Sequence, residues 1–583
     1  MSFPQLIGYS VLTLAVWKLV QRRASRKANT LDVAGPESDH WWKGNVESIC
    51  VDGFERCLKI AADYGGAIKL HAFFGDKWLY VSDPRALYHI LVKEQHNFEE
   101  IDDFIFCNKL VFGAGLISTL GEQHRRQRKM LNPVFSISNM RELLPIIQPV
   151  SHQLKSILVS NLSTHNSVEL DVLPWISRSS LDCVCEGVLG YHSAALDTGN
   201  ENEYTEALRM LSSSISKTIV FRPIAPIIMR NFSLYWCKKI ADWLTISWLP
   251  TQTMRNLREL RHVVEIADSG SRTIFQEKKA ALAAPSLMPS QSYDTSGGTR
   301  GKDIMSIMLK ANASSAEGDR LSDAELLGQM NVMIFAGLET TTAAVARVLY
   351  MLAKHPHIQQ QLRAEIYDAM TAHQALEVDH SYIKDSFGSV RLPYDSLVNL
   401  PLLDAVVRET LRLYPSLPVL ARKTTTAGSV PLQFPVRSVS GEEINTIPVA
   451  KDQIFVISIL AANHNQAVWG EDASEWEPER WLNSTQVGVK DGVRYAGVYS
   501  SMMTFLAGNR SCIGFKFAEM EIKDALAALL PAIHFALPSE PDDSGNVKEI
   551  YWKTSVFHTP VVKAPAGDGE TPHLPLSMRL VRE

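Results

Sequence analysis

The reading of this chain turns on Phe505-Leu506-Ala507-Gly508-Asn509-Arg510-Ser511-Cys512-Ile513-Gly514. A cysteine ligates metal as its thiolate, which persists where positive charge or backbone N–H groups surround it. Arg510 stands two residues before Cys512. The residues from Phe515 to Leu529 read as a helix whose positive N-terminal end would face the sulfur. Gly508 and Gly514 would let the backbone turn sharply and pass close to a flat cofactor, and Phe505 could pack beneath it. Taken alone, a cysteine between two glycines is more often a buried small hydrophobe. The ten-residue pattern as a whole is much more specific.

Upstream, Glu409 and Arg412 lie three apart within Leu402 to Tyr414 and share a helix face. A surface ion pair would contribute only ~0–1 kcal/mol. Leu403, Val406, Val407 and Leu413 predict burial instead, and a buried pair needs further hydrogen bonds to offset desolvation. Arg480, in Glu477-Pro478-Glu479-Arg480-Trp481, is a candidate partner.

A long helix is predicted from Ser322, whose side chain and Glu325 form a capping box, to His355-Pro356, where proline stops it. About 30 residues make a helix roughly 50 Å long, enough to cross a domain. Its middle reads Ala336-Gly337-Leu338-Glu339-Thr340-Thr341. Gly337 costs roughly 1 kcal/mol relative to alanine, and the Thr340 hydroxyl can bond back to the preceding turn. An acid beside a hydroxyl in an apolar helix suits a proton relay. A solvated face is the plainer reading of Glu-Thr alone, and Met330, Val332, Met333, Ile334, Phe335 and Val345 weaken it. In Gly121 to Lys129, His124 and Arg128 share one face and suit two donors to one carboxylate. Arg125 and Lys129 share another and suit an acidic partner.

The chain has 583 residues, 46% hydrophobic and 21% charged, as ordinary globular proteins do. Its net charge of −5 argues against a general nucleic-acid binder. The other six of its seven cysteines lack zinc spacing, which fits a reduced, cytosol-facing protein. Residues Phe3 to Trp17 are nearly all apolar and are followed by Lys18, Arg22, Arg23, Arg26 and Lys27. The run is short for a span of roughly 20 residues, but snorkelling by Lys18 would extend it. The positive charges follow the apolar run, unlike those of a cleaved signal peptide, and would hold everything downstream in the cytosol. A buried N-terminal helix is the competing reading. The chain thus divides into a membrane anchor with basic flank (1–27), a linker (28–40), a main domain (41–563) and an irregular Pro- and Gly-rich tail (564–583). The body reads as mainly α with a minor β part near its start, in Gly66 to Val81, and near its end. Residues 283–301 read as a surface loop.

These segments together resemble the cytochrome P450 superfamily, in the family's order, from about Gly35 to about Val561. The resemblance implies a long central helix over a haem b (iron protoporphyrin IX), preceded by an N-terminal membrane helix. It implies Cys512 as metal ligand, with Phe505, Gly508 and Gly514 shaping the loop. It implies Glu339 and Thr340 as the acid–alcohol pair that supplies protons, and Glu409, Arg412 and Arg480 as a structural triad. His124, Arg128, Arg422 and Arg510 are implied haem propionate donors, although the family more often has tryptophan at position 124. The implied reaction is monooxygenation with O2. Electrons come from NADPH through a separate cytochrome P450 reductase, with cytochrome b5 a second candidate donor, since no dinucleotide loop or flavin domain is visible here. The implied location is the endoplasmic reticulum membrane, single-pass, with the catalytic domain cytosolic and in contact with membrane lipid; no nucleic-acid partner is expected.

The Gly121 to Ser136 stretch is similar to fungal members, which often tailor terpenoid or polyketide skeletons. Fatty-acid, sterol or xenobiotic hydroxylation remains open, as does a haem-thiolate isomerase or dehydratase that uses no O2. A non-catalytic haem sensor is disfavoured by the complete set of oxygen-activating segments. Pocket segments are expected at Phe104 to Leu116, Phe335-Ala336, Pro418 to Leu420 and Ser555 to Phe557, mostly apolar, so a lipophilic substrate is expected.

Overall fold

The computed structural model describes residues 31–162, 167–197, 199, 202–218, 236, 239, 252–283, 301–376, 390–482, 493–539, 541, 544–554 and 556–581. The expected anchor (1–27), most of the predicted surface loop and Ser555 lie outside the described residues. The helices that position the site are α1 (Phe54–Tyr64), α2 (Asp102–Phe112), α3 (Gly121–Leu131), α4 (Ile137–Leu162), α5 (Leu173–Val184), α6 (Glu203–Lys217), α7 (Gln252–Ala283), α8 (Asp323–Lys354), α9 (Pro401–Leu413) and α10 (Phe515–Leu529). The strands are β1 (Ala67–His71), β2 (Lys77–Val81), β3 (Phe98–Glu99), β4 (Val168–Asp171), β5 (Val419–Thr424), β6 (Gly428–Arg437), β7 (Glu443–Val449), β8 (Ile454–Ser458), β9 (Ile533–Ala536), β10 (Ile550–Thr554), β11 (His558–Val562) and β12 (Pro575–Leu580). They form a five-stranded sheet in the order β1-β2-β8-β5-β3, a three-stranded sheet β4-β12-β9, and two hairpins, β6–β7 and β10–β11. The expected mainly helical body with a minor β part is what is found, and β1 and β2 fall where the aromatic and apolar run of Gly66 to Val81 places them.

The tail departs from expectation. Rather than being irregular throughout, it includes β12, the central strand of its sheet, antiparallel to both β4 and β9. Leu574, Leu576 and Met578 are fully buried. The alternation of Leu576 and Met578 around Ser577 is the strand period, but it is too brief to stand out beside the prolines and glycines before it.

Helix α8 begins and ends as expected. The Ser322 hydroxyl accepts the Glu325 N–H at 3.3 Å, and Glu325 Oε2 accepts the Ser322 N–H at 2.9 Å. Its 32 residues span about 48 Å. The helix is long and apolar enough to cross a membrane, yet it is buried in the protein core. The other carboxylate oxygen of Glu325 accepts from Arg126 at 2.8 Å, Gln123 at 3.0 Å and Gln127 at 3.2 Å, all on α3. Burial alone would raise this carboxyl, but the Ser322, Gln123 and Arg126 donors outweigh it and hold it at about 2. Gly337 admits a neighbour: a Cβ there would stand 2.6 Å from Cγ2 of Val184 on α5.

Beneath α8 lies the Glu409–Arg412 pair, neither side chain exposed at all. Arg412 Nε and Nη2 donate to the two Glu409 oxygens at 2.9 and 2.7 Å. Arg412 Nη1 donates to the Asn463 and Ala473 carbonyls, each at 2.7 Å. Glu409 also accepts from Trp481 Nε1 at 2.9 Å, the Glu477 N–H at 3.2 Å and Arg480 Nε at 3.4 Å. Arg480 is held in turn by Asp472 Oδ2 at 2.7 Å and the Trp469 carbonyl at 2.8 Å.

Two stability predictions follow from these contacts. Glu409→Ala leaves Arg412 a buried charge without its partner and costs about 3–5 kcal/mol in urea unfolding; a loss below about 1 kcal/mol, the range of surface pairs, contradicts this account. The depressed carboxyl of Glu325 adds stability that is present above its unfolded value and lost as pH falls through about 2. Glu325→Gln therefore costs up to about 3 kcal/mol at pH 7, and the gap to the parent narrows between about pH 4.5 and pH 2. Melts at pH 7 and pH 3 measure this, and a gap independent of pH overturns it.

Candidate active site

Cys512 sits at the end of a loop built on backbone contacts. Its N–H donates to the Phe505 carbonyl at 2.9 Å, and Ser511 N–H donates to the Gly508 carbonyl at 3.1 Å. Gly508 has φ +69°, and a Cβ there would lie 1.8 Å from the Leu91 carbonyl oxygen, so only glycine lets the loop pass this close. Gly514 is different from its expected role: its φ is −92°, and a Cβ there would meet nothing nearer than 3.8 Å. It is the N-cap residue of α10, as the expected helix after the loop requires. Phe505 packs against Tyr499 at 5.5 Å and Phe515 at 6.0 Å.

The Cys512 side chain is exposed, yet desolvation by burial raises its pKa, opposed by the Gly514 N–H and the Arg128 charge. Free surface with little solvent around it is what a side chain facing a space for a bound group presents. Helix α8 has a similar window. Most of its middle is buried, but Ala336 is exposed, and Phe335, Gly337, Glu339 and Thr340 are half-buried. Ala336 and Thr340, four apart, share a helix face. The Thr340 hydroxyl donates to the Ala336 carbonyl at 2.7 Å, and the Thr340 carbonyl accepts from Ser416 Oγ at 2.9 Å. Burial lifts Glu339 to about 7, with Arg209 of α6 pulling the other way. A carboxyl poised there can give or take a proton near neutrality.

The four candidate basic residues are brought together. Burial, then Arg510, then Arg128 hold His124 at about 3, so it is neutral. Arg510 is pushed down to about 10 by burial, with Arg422 and Arg128 among the nearby charges and Glu100 opposing. Arg510 donates to the Thr119 and Leu116 carbonyls at 2.8 and 3.3 Å. Arg128 donates to the Ser511 carbonyl at 2.6 Å and its hydroxyl at 3.0 Å, which ties it to the Cys512 loop. Arg422 donates to Glu100 at 2.7 Å. Three guanidiniums beside two carboxylates, Glu100 and Glu99, leave an excess of positive charge that suits the acidic arms of a haem, and the exposed cysteine suits its iron. The residues present therefore fit that cofactor. Glu409, Arg412 and Arg480, none more than 7% exposed, lie in the packed layer.

Sequence reading missed Arg209 and Ser416. Neither carries a local signal: Arg209 is one arginine on an ordinary amphipathic helix, and Ser416 follows a helix end. Among the expected pocket segments, Phe112 and Phe335 are in ring contact at 4.7 Å, and Phe335 and Phe557 at 6.0 Å.

Comparison with known proteins agrees with this geometry. The family model for Cytochrome P450 matches residues 34–556. Cytochrome P450 monooxygenase 212 of Postia placenta is 37% identical over 580 residues, covering 98% of each chain. Cytochrome P450 monooxygenase 91 of the same fungus is 36% identical, covering 94% of each. Ganoderic acid synthetase of Ganoderma lucidum is 35% identical, covering 92% of this chain and 89% of its own. A match over nearly the whole body means that the chain belongs to the cytochrome P450 family, haem-thiolate monooxygenases that use O2.

Proposed function

We propose that this monooxygenase inserts one oxygen atom from O2 into an unactivated C–H bond or alkene of a lipophilic small molecule, with the second atom leaving as water. Two electrons and two protons complete the balance. The single observation that carries this reading is the Cys512 side chain, exposed yet desolvated, in a fold whose long helix α8 opens its own window at Glu339 and Thr340. Bound haem supplies the redox centre at which O2 is activated. Cys512 holds its iron. Arg510, Arg422, Arg128 and neutral His124 orient its acidic edge, and Glu339 and Thr340 pass protons inward. Phe335, half-buried beside the window and packed against the Phe112 and Phe557 rings, adds apolar surface there, which favours a lipophilic substrate. A relative named for ganoderic acid synthesis supports a tailoring step in fungal secondary metabolism, on terpenoid or polyketide skeletons.

Electrons are proposed to come from NADPH through a separate reductase, with cytochrome b5 a second donor. Arg125, Lys129 and Lys516 are candidates for the docking face. Arg126 is a weaker one, since its guanidinium is engaged by Glu325. Arg125 and Lys129 also have acidic neighbours, Glu122 and Asp319, both at 2.8 Å. A single-pass endoplasmic reticulum anchor with a cytosolic body is proposed from the N-terminal run. Trp41, 82% exposed, follows the linker, a position suited to the headgroup layer of a membrane.

The first test is the carbon-monoxide difference spectrum of the dithionite-reduced, detergent-solubilised protein. A strongly red-shifted Soret band, lost in Cys512→Ser, is expected; folded haem protein without that shift overturns thiolate ligation. With reductase and terpenoid or polyketide feeds, Thr340→Ala should lower product per NADPH consumed by about 100-fold, the low end of what a positioned proton donor contributes. Unchanged coupling would instead favour the isomerase or dehydratase class.

A further inference from the structure

Phe557 reaches the ring row at Phe335 from the β10–β11 hairpin. The hairpin is seated on α8 by an uncommon contact. Arg347 lies two turns beyond Thr340 on the same helix face and is 6% exposed. Its guanidinium carbon is 3.8 Å from the centre of the Tyr414 ring, at the end of α9, and 3.8 Å from that of Trp552 on β10. The Tyr350 ring lies at 5.7 Å. Among the described residues no carboxylate stands against this charge; burial lowers its pKa to about 9, opposed only by Tyr414 and Tyr350. A planar, weakly hydrated cation between two ring faces is held by cation–π attraction, strongest where water is absent.

The His558 ring is hydrogen-bonded to the Trp552 backbone, but the rest of the polar support at the seat is incomplete. Arg347 Nε, Trp552 Nε1, Thr554 Oγ1 and His558 Nε2 are all buried and lack a hydrogen-bond partner among the described residues. Thr554 and His558 face each other across the hairpin. Phe54 stacks on His558 at 5.0 Å, and the His558 N–H donates to the Ser416 carbonyl at 3.2 Å. Unpaired buried donors and acceptors oppose the packing and give it no direction. Trp552 also meets the Tyr350 and His558 rings edge-on at 5.6 and 5.7 Å, and the guanidinium at 3.8 Å is the contact that covers its face and sets its tilt. Trp552 and Phe557 belong to one short hairpin, so a tilt at the first is carried to the second.

We propose that Arg347 is a positioning residue for selectivity: clamping Trp552 between α8 and Tyr414, it fixes where Phe557 closes the chamber against Phe335. The inference rests on the proposed chamber over the haem.

Optical titration of the haem-loaded full-length protein with imidazole and with 4-phenylimidazole tests it. Both ligate iron through the same ring, and only the second extends toward the chamber wall. Arg347→Met should leave the imidazole Kd within about twofold and change the 4-phenylimidazole Kd by up to about tenfold, the scale of one aromatic contact. Trp552→Leu should shift it likewise. Phe557→Ala should move the same ratio, and adding Arg347→Met to it should change nothing more. Arg347→Lys, which keeps a cation but cannot stack between the two rings, should behave like Arg347→Met rather than like the parent. Equal shifts for both ligands, no shift for either, or additive effects of Arg347→Met and Phe557→Ala overturn the proposal. A parent protein that carries haem but gives no spectral change with imidazole would overturn the chamber reading and this inference with it.

Discussion

Two opposite charges with no solvent contact set the terms for the half of the protein that carries the thiol. Removing Glu409 and Arg412 from water is costly unless every lone pair and N–H finds a partner. The partners are what organise the neighbourhood. Arg412 takes the carbonyl of Asn463, and the Asn463 side chain returns a hydrogen bond to the Arg412 carbonyl at 2.9 Å. The same amide accepts the Met503 N–H at 2.8 Å and donates to Thr504 Oγ1 at 2.8 Å, which donates to the Leu411 carbonyl at 2.7 Å. Phe505, whose carbonyl receives the Cys512 N–H, is the next residue. The satisfaction of one buried pair thus fixes the start of the loop that presents the sulfur.

Helix α3 performs the corresponding service for α8. Its Gln123, Arg126 and Gln127 grip Glu325 at the first turn of α8, while its Arg128 grips Ser511 beside Cys512. One helix of 11 residues therefore ties the origin of α8 to the loop of the thiol. The close approach of Val184 at Gly337 adds a second constraint in the middle of α8. The window at Ala336 and Thr340 is consequently held from both its end and its flank.

Much of this could be read from the chain. Cys512 and its flanks, the Glu409–Arg412 spacing and the Ser322 cap are local patterns, each with a local physical reason, and their geometry follows from short-range rules. What escaped were relations between distant segments. Gly337 reads as a loosened helix until Val184 is placed against it. Arg126 reads as a surface charge until Glu325, 199 residues away, is found to hold it. Arg347 has an ordinary apolar-helix neighbourhood in sequence, and only folding brings Tyr414 and Trp552 to its two faces. The tail strand was hidden for a related reason: its partners β4 and β9 lie far from one another in sequence, and three alternating residues do not announce a sheet.

That strand bears on the order in which the molecule can be completed. Synthesis proceeds from the N-terminus, so β4 must wait through most of translation for the segment that pairs with it, and β9 joins it only through that same segment. Closing this sheet is therefore a late event in folding. A strand that arrives last and sits in the middle carries both ladders of its sheet, so an error in β12 leaves β4 and β9 alike without a partner.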